Sequence, residues 1–205
     1  MNDLNSAIIS RWFNAVRNAE PEYRDRVLEA FWAGQLDSKA WLINELNNIQ
    51  LTDNQNIYIF GGWFGTLASM IMQNSDFNIT KILSIDIDIN CEKVFYNICE
   101  QHLDIINFIH ADMNSYDYQW DYSPTIVINT STEHVTQDVY NNWFDKIPFN
   151  TVIVAQGNDF YNCDEHVRCA RDLEEFKMLN HVYNPLYEGS LPHDIYTRWM
   201  CIWKK

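Results

Sequence analysis

Apolar positions recur at helical spacing as far as about residue 50, then give way to short unbroken apolar runs. In "LNSAIISRWFNAVRNA" the residues Leu4, Ala7, Ile8, Trp12, Ala15 and Val16 share one helical face. Pro21 suits the first turn of a second helix, "PEYRDRVLEAFWAG", with Gly34 as its stop, and Asp37 or Ser38 caps a third, "KAWLINELNNI". From residue 56 strands alternate with helices. "NIYIF", "KILSID", "IINFIHAD", "PTIVINTS" and "TVIVAQG" read as strands, and "GTLASMIMQ", "INCEKVFYNICEQH" and "TQDVYNNWFDKI" as the helices between them. Such alternation predicts right-handed crossovers and a mostly parallel sheet, and the unbroken apolar runs suit burial on both faces. "EHVRCARDLEEFKM" is predicted helical. "LNHVYNPLYEG" and "IYTRWMCIWKK" then close the chain as an antiparallel pair across "GSLPHD". The expectation is an α/β, Rossmann-like, doubly wound domain over 53–205 with an N-terminal helical cap over 1–52.

The first strand runs into glycines, "IYIFGGWFG" at 57–65. Gly61, Gly62 and Gly65 let the backbone turn sharply and approach a ligand, and the following helix offers free amides. A tight turn with no ligand is the alternative. The second strand ends in Asp86, 21 residues after Gly65, where nucleotide folds place a ribose-binding carboxylate. Asp88 reads as the cap of the next helix. The third strand ends in "IHADM", which puts Asp112 on the same rim, able to accept from an adenine amine while Met113 packs on the ring.

Composition narrows the class. With 28 acidic and 14 basic residues the formal charge is −14, which repels phosphate backbones and anionic headgroups and disfavours nucleic acid as a partner. No apolar run is long enough to span a bilayer, so no membrane partner is expected. The start, "MNDLNSAIIS", lacks the basic and apolar regions of a signal peptide, and the five cysteines are an odd number at low density. A cytoplasmic location is expected; nothing in the pattern specifies an oligomer.

The glycine loop with Asp86 and Asp112 at successive strand ends resembles the class I S-adenosylmethionine-dependent methyltransferases, over roughly residues 55 to 203. The resemblance implies a seven-stranded sheet with one antiparallel strand and S-adenosyl-L-methionine as cofactor. It places the methionine moiety over Gly61, Gly62, Trp63 and Gly65, ribose on Asp86, and adenine by Asp112 and Met113. Ile59 stands where the family's loop has an acid, and Trp63 where it has the middle glycine. Trp63 and Phe64 either shape the pocket or pack beneath it. A dinucleotide fingerprint would need glycine at Phe60, and no Walker Gly-Lys-Ser/Thr follows.

Groups for the chemistry are expected at the end of the fourth strand, in "INTSTEHV". Asn129, Thr130 and Ser131 would face the methyl group, with Glu133 or His134 as a general base. The bland reading of "STEH" is a helix start capped by Ser131 or Thr132. "NTST" is not the Asn/Asp-Pro-Pro-aromatic motif of amino-methylating relatives, which again disfavours a DNA base. After the fifth strand, "QGNDFYNCDEHVRC" offers Asn158 and Tyr161 as polar substrate contacts. Cys163, His166 and Cys169 are spaced three apart, but a helix there would scatter them, so no metal is expected. Trp12 and Trp32 are expected in the core, and Arg17 or Arg24 could meet an acidic acceptor. The implied function is methyl transfer to a small molecule. The alternatives are a cofactor-binding relative with other chemistry and a non-catalytic binding module.

Overall fold

Alternation along the central strands organises the molecule, because successive side chains of a strand point to opposite faces. The computed structural model describes residues 6–51, 54–118 and 123–205. Leu4 and the expected domain boundary at 52 and 53 lie outside them. Seven strands form one sheet: β1 (Gln55–Phe60), β2 (Ile79–Asp86), β3 (Ile106–His110), β4 (Ile126–Asn129), β5 (Val152–Asn158), β6 (Tyr187–Pro192) and β7 (Thr197–Lys204). Their order is β3-β2-β1-β4-β5-β7-β6, with β7 antiparallel to both neighbours. The expected mixed seven-stranded sheet is therefore present. The chain winds outward from β1 to β3 and returns to β4, so the carboxyl ends of β1 and β4 form the switch-point crevice where ligands bind in such sheets.

Helices α1 (Ser6–Asn18), α2 (Arg24–Glu29), α3 (Ala33–Asn47), α4 (Thr66–Asn74), α5 (Cys91–Cys99), α6 (Gln137–Lys146) and α7 (Leu173–Leu179) flank the sheet. Ile57 and Ile59 of β1 join a core that includes α1, α3, α4 and α5. Tyr58 and Phe60 join the opposite core, with Tyr140 and Trp143 of α6 and Phe176 of α7. Both faces are dry, as the unbroken apolar runs require.

Several boundaries differ from expectation. Gly34 lies in the first turn of α3 rather than ending α2, and Asp37 and Ser38 lie inside α3 rather than capping it. Only 173–178 of the expected "EHVRCARDLEEFKM" stretch is helical. Asp172 caps it by accepting the Glu175 N–H at 2.8 Å, which leaves 163–171 irregular. The closing hairpin turns at His193–Tyr196, and Gly189 to Pro192 belong to β6. Trp12 packs against the core, but Trp32, at the N-cap of α3, is 64% exposed. No helix among the described residues is long and apolar enough to cross a membrane.

Candidate functional site

Two adjoining cavities open over the carboxyl ends of β1, β2 and β4. The smaller, about 310 Å³, is walled by Gly61, Asp86, Ile87, Asp112, Met113, Asn129 and Val135. The larger, about 830 Å³, runs from Gly62, Trp63, Thr66 and Asp86 past Thr130, Glu133 and His134 to Arg198. Gly61, Asp86, Ile87, Ser131 and His134 border both. The N-terminal helices contribute Arg26, Trp32, Gln35 and Lys39 to the larger one, whereas the expected Arg17 and Arg24 are not in its wall.

The loop geometry explains its composition. Gly65 has φ +78°, and a Cβ there would lie 2.5 Å from the Phe95 ring. A Cβ on Gly62 would lie 3.3 Å from the Ser84 Cα of β2 and 2.0 Å from its Oγ, so the loop rests on that strand. Trp63 also takes a left-handed φ of +49°. That conformation costs a non-glycine residue about 1–2 kcal/mol. Its N–H donates to Asp86 Oδ2 at 2.8 Å, which holds it there. Trp63 walls the cavity and stacks at 4.9 Å on Phe64, which is buried beneath it.

Asp86 thus anchors the loop, a role its sequence position did not reveal. Its Oδ1 also accepts the Asp88 N–H at 2.9 Å. Each carboxylate oxygen has a second lone pair, so two hydroxyls can still be accepted from the cavity side. Burial raises its pKa, opposed by these two backbone donors. Asp88 shapes the approach to α5: Oδ1 accepts the Asn90 N–H at 3.0 Å and Oδ2 pairs with Arg26 at 2.9 Å. Burial works against its ionisation, but Arg26 and Asn90 hold it below the usual carboxylate range. Asp112 accepts the Asn114 N–H at 2.8 Å and borders the smaller cavity beside Met113.

Asn129 is buried in the same cavity, its Oδ1 accepting the Ser131 N–H at 3.0 Å and its Nδ2 lying 3.9 Å from Met113 Sδ. Thr130 faces the larger cavity, and its carbonyl accepts from Arg198 Nη1 at 3.0 Å. The expected capped helix at "STEH" is a single 3₁₀ turn, Thr132–His134, without a side-chain cap. Thr132 instead donates to the Gln156 carbonyl of β5 at 2.9 Å. Glu133 is 2% exposed, with Oε1 accepting from Asn158 Nδ2 and Arg198 Nη2 3.9 Å away. Burial pushes His134 below the ordinary histidine value, which favours its neutral form.

Asn158 is therefore a partner of Glu133, and the expected substrate contact Tyr161 is 59% exposed and outside both walls. Cys169 donates to the Phe160 carbonyl at 3.4 Å, and burial pushes its thiol up to about 11. Sequence reasoning missed Arg198 and Lys39. Arg198 had a signal, a charge inside the apolar run "YTRWMCIW". Lys39 had none: α3 buries its amine, which donates to Gln35 Oε1 at 2.6 Å. Burial, with Arg198 nearby, lowers its pKa to about 7.

No protein-family model and no curated protein matches the sequence. Solved structures do match in fold. N-methyltransferase NodS from Bradyrhizobium japonicum WM9 in complex with S-adenosyl-L-homocysteine is 9% identical, with 94% of this chain and 97% of that one covered at TM-score 0.63. M. capricolum TrmK in complex with the natural cofactor product S-adenosyl-homocysteine is 11% identical, covering 80% and 68% at 0.58. Precorrin-6y C5,15-methyltransferase from Geobacter metallireducens GS-15 is 8% identical, covering 82% and 88% at 0.54. The strand order, the antiparallel β7 and these matches together give the chain the fold of the class I S-adenosylmethionine-dependent methyltransferases.

Proposed function

We propose that the protein is an S-adenosylmethionine-dependent methyltransferase acting on a small molecule. The observation that carries this reading is the convergence of the glycine loop, Asp86 and Asp112 on two adjoining cavities with shared walls. The residues fit the cofactor. Asp86 keeps lone pairs for ribose, Asp112 stands beside the apolar Ile87, Met113 and Val135 for an adenine, and Thr66 has a buried hydroxyl without a partner in the larger wall. When bound, S-adenosylmethionine supplies a methyl group already activated by its sulfonium.

The chain's own work is to orient and to exclude water. Gly62 and Trp63 form the loop floor, Thr130 and Ser131 border the acceptor side, and Trp32 with Gln35 and Lys39 walls it off. Glu133 and His134 are proposed to handle the acceptor. A cavity of about 830 Å³ suits a small acceptor. A reducing, cytoplasmic setting belongs to the same proposal, supported by five cysteines that are all free.

Thermal melting tests it. S-adenosylhomocysteine at about 100 times its dissociation constant should stabilise the fold by about 2.7 kcal/mol, and Asp86→Ala should remove that shift. A cooperative melt that neither sulfur nucleotide moves would leave the loop as a simple turn and end the proposal.

A further inference from the structure

The same β4 turn that carries Glu133 builds a second arrangement. The Glu133 carbonyl accepts the N–H groups of Val167 at 2.8 Å and Arg168 at 3.1 Å, which ties the irregular segment after β5 to the 3₁₀ turn. That tie brings His166, 33 residues further along the chain, beside Glu133 and His134. One donor atom from each of the three residues lies within 4.8 Å of the others. The two imidazoles meet edge to face at 4.7 Å.

We propose that Glu133, His134 and His166 form a binding site for a divalent first-row transition-metal ion beside the acceptor cavity. Three observations beyond the spacing of the three groups support it. First, Glu133 Oε2 is buried and has no partner, while Oε1 is held by Asn158; an orphaned carboxylate oxygen in the interior is costly unless a cation meets it. Second, His166 Nδ1 lies 2.7 Å from the Phe160 carbonyl and therefore carries the proton, which leaves Nε2 with a bare lone pair. Metal-binding histidines are generally oriented by such a bond from the other ring nitrogen. Third, Glu165 Oε2 lies 3.9 Å from His134 Nδ1 and adds a second negative charge beside the pair.

Two imidazoles and one carboxylate leave coordination positions open, the pattern of a reactive site rather than a structural one. Glu133 and His134 line the larger cavity, so those positions face the acceptor. The preferred acceptor then carries a hydroxyl. Its oxygen would bind the ion, and its proton would pass to solvent while the oxygen keeps the electron pair. This acceptor role rests on the methyltransferase reading; the metal site does not.

The test is titration of the full-length protein with Co²⁺, read by its visible absorption, and with Mn²⁺, read by electron paramagnetic resonance. The expected result is one saturable equivalent in the wild type. His166→Ala and His134→Ala should each weaken it by more than about 100-fold, beyond the 10–100-fold usual for an outer-shell partner. Cys163→Ser should bind as the wild type does. Cooperative melting checks each variant's fold, and Glu133→Gln replaces any histidine variant that fails it. The thermal shift with S-adenosylhomocysteine, measured in parallel, separates failure of the metal site from failure of the cofactor reading. Absence of a saturable equivalent in the wild type, or unchanged binding in the folded variants, overturns the proposal.

Discussion

At the scale of single residues, the cavity holds groups whose protonation is set by burial. Lys39 is the clearest. Its folded pKa of about 7 lies below its ordinary 10.5, so between those values the unfolded chain binds the extra proton. Stability from this group therefore rises with pH from about 7 to about 10.5 and is lost as pH falls. Lys39→Met should flatten that part of the profile and stabilise the protein near pH 7 by a few kcal/mol, at ~1.4 kcal/mol per pKa unit. Denaturant titrations of both proteins across that range check it. Asp86 has the opposite charge type and a raised pKa. Its ionised form accepts hydroxyls, so S-adenosylhomocysteine binding should weaken as pH falls through a value above the ordinary carboxylate range. Asp86→Asn should bind weakly with no such dependence, which calorimetry at several pH values will report.

Elements of secondary structure are governed here by caps and loops as much as by periodicity. α7 begins only where Asp172 takes the Glu175 N–H, and the Glu175 carboxylate reaches back to the Arg171 N–H at 2.8 Å. Asp172→Ala should cost about 1 kcal/mol, as loss of an N-cap does. A shift of the denaturant midpoint with an unchanged slope would measure it. The seven residues before the cap could not be recognised as irregular from "EHVRCAR", because their helical spacing is real and tertiary ties override it, from Val167 and Arg168 to the Glu133 carbonyl and from Ala170 to the Asn158 carbonyl. The glycine loop and the five parallel strands were legible for the contrary reason. Their signals, bare backbone and unbroken apolar runs, are local.

The whole molecule depends on two dry layers, one on each face of a single sheet. Trp143 is fully buried and meets Phe60 of the first strand at 5.4 Å and Tyr140 at 5.2 Å. Trp143→Ala should cost about 3–5 kcal/mol. With about 2–4 °C per kcal/mol for a chain of this size, the melting temperature should fall on the order of 10 °C in calorimetry. Arg198→Ala should be comparably severe, because it leaves the Glu133 carboxylate buried without its nearest cation, a loss of about 3–5 kcal/mol. Glu133→Gln/Arg198→Met, which removes both charges, should recover part of that stability in the same measurement.

What the sequence determined by itself was the alternation of strands and helices, the glycine loop, and acids at the ends of the second and third strands. Each depends on a short stretch whose spacing and backbone freedom are written in neighbouring residues. Tertiary structure alone decided that Asp86 clamps Trp63 and that Arg198 from the last strand reaches Glu133. It alone brought His166 to the turn after β4, and it alone buried Lys39 of α3 near Arg198. These pairings join residues far apart in the chain, and their cost or benefit arises from desolvation, which depends on what packs above a residue rather than on what precedes it.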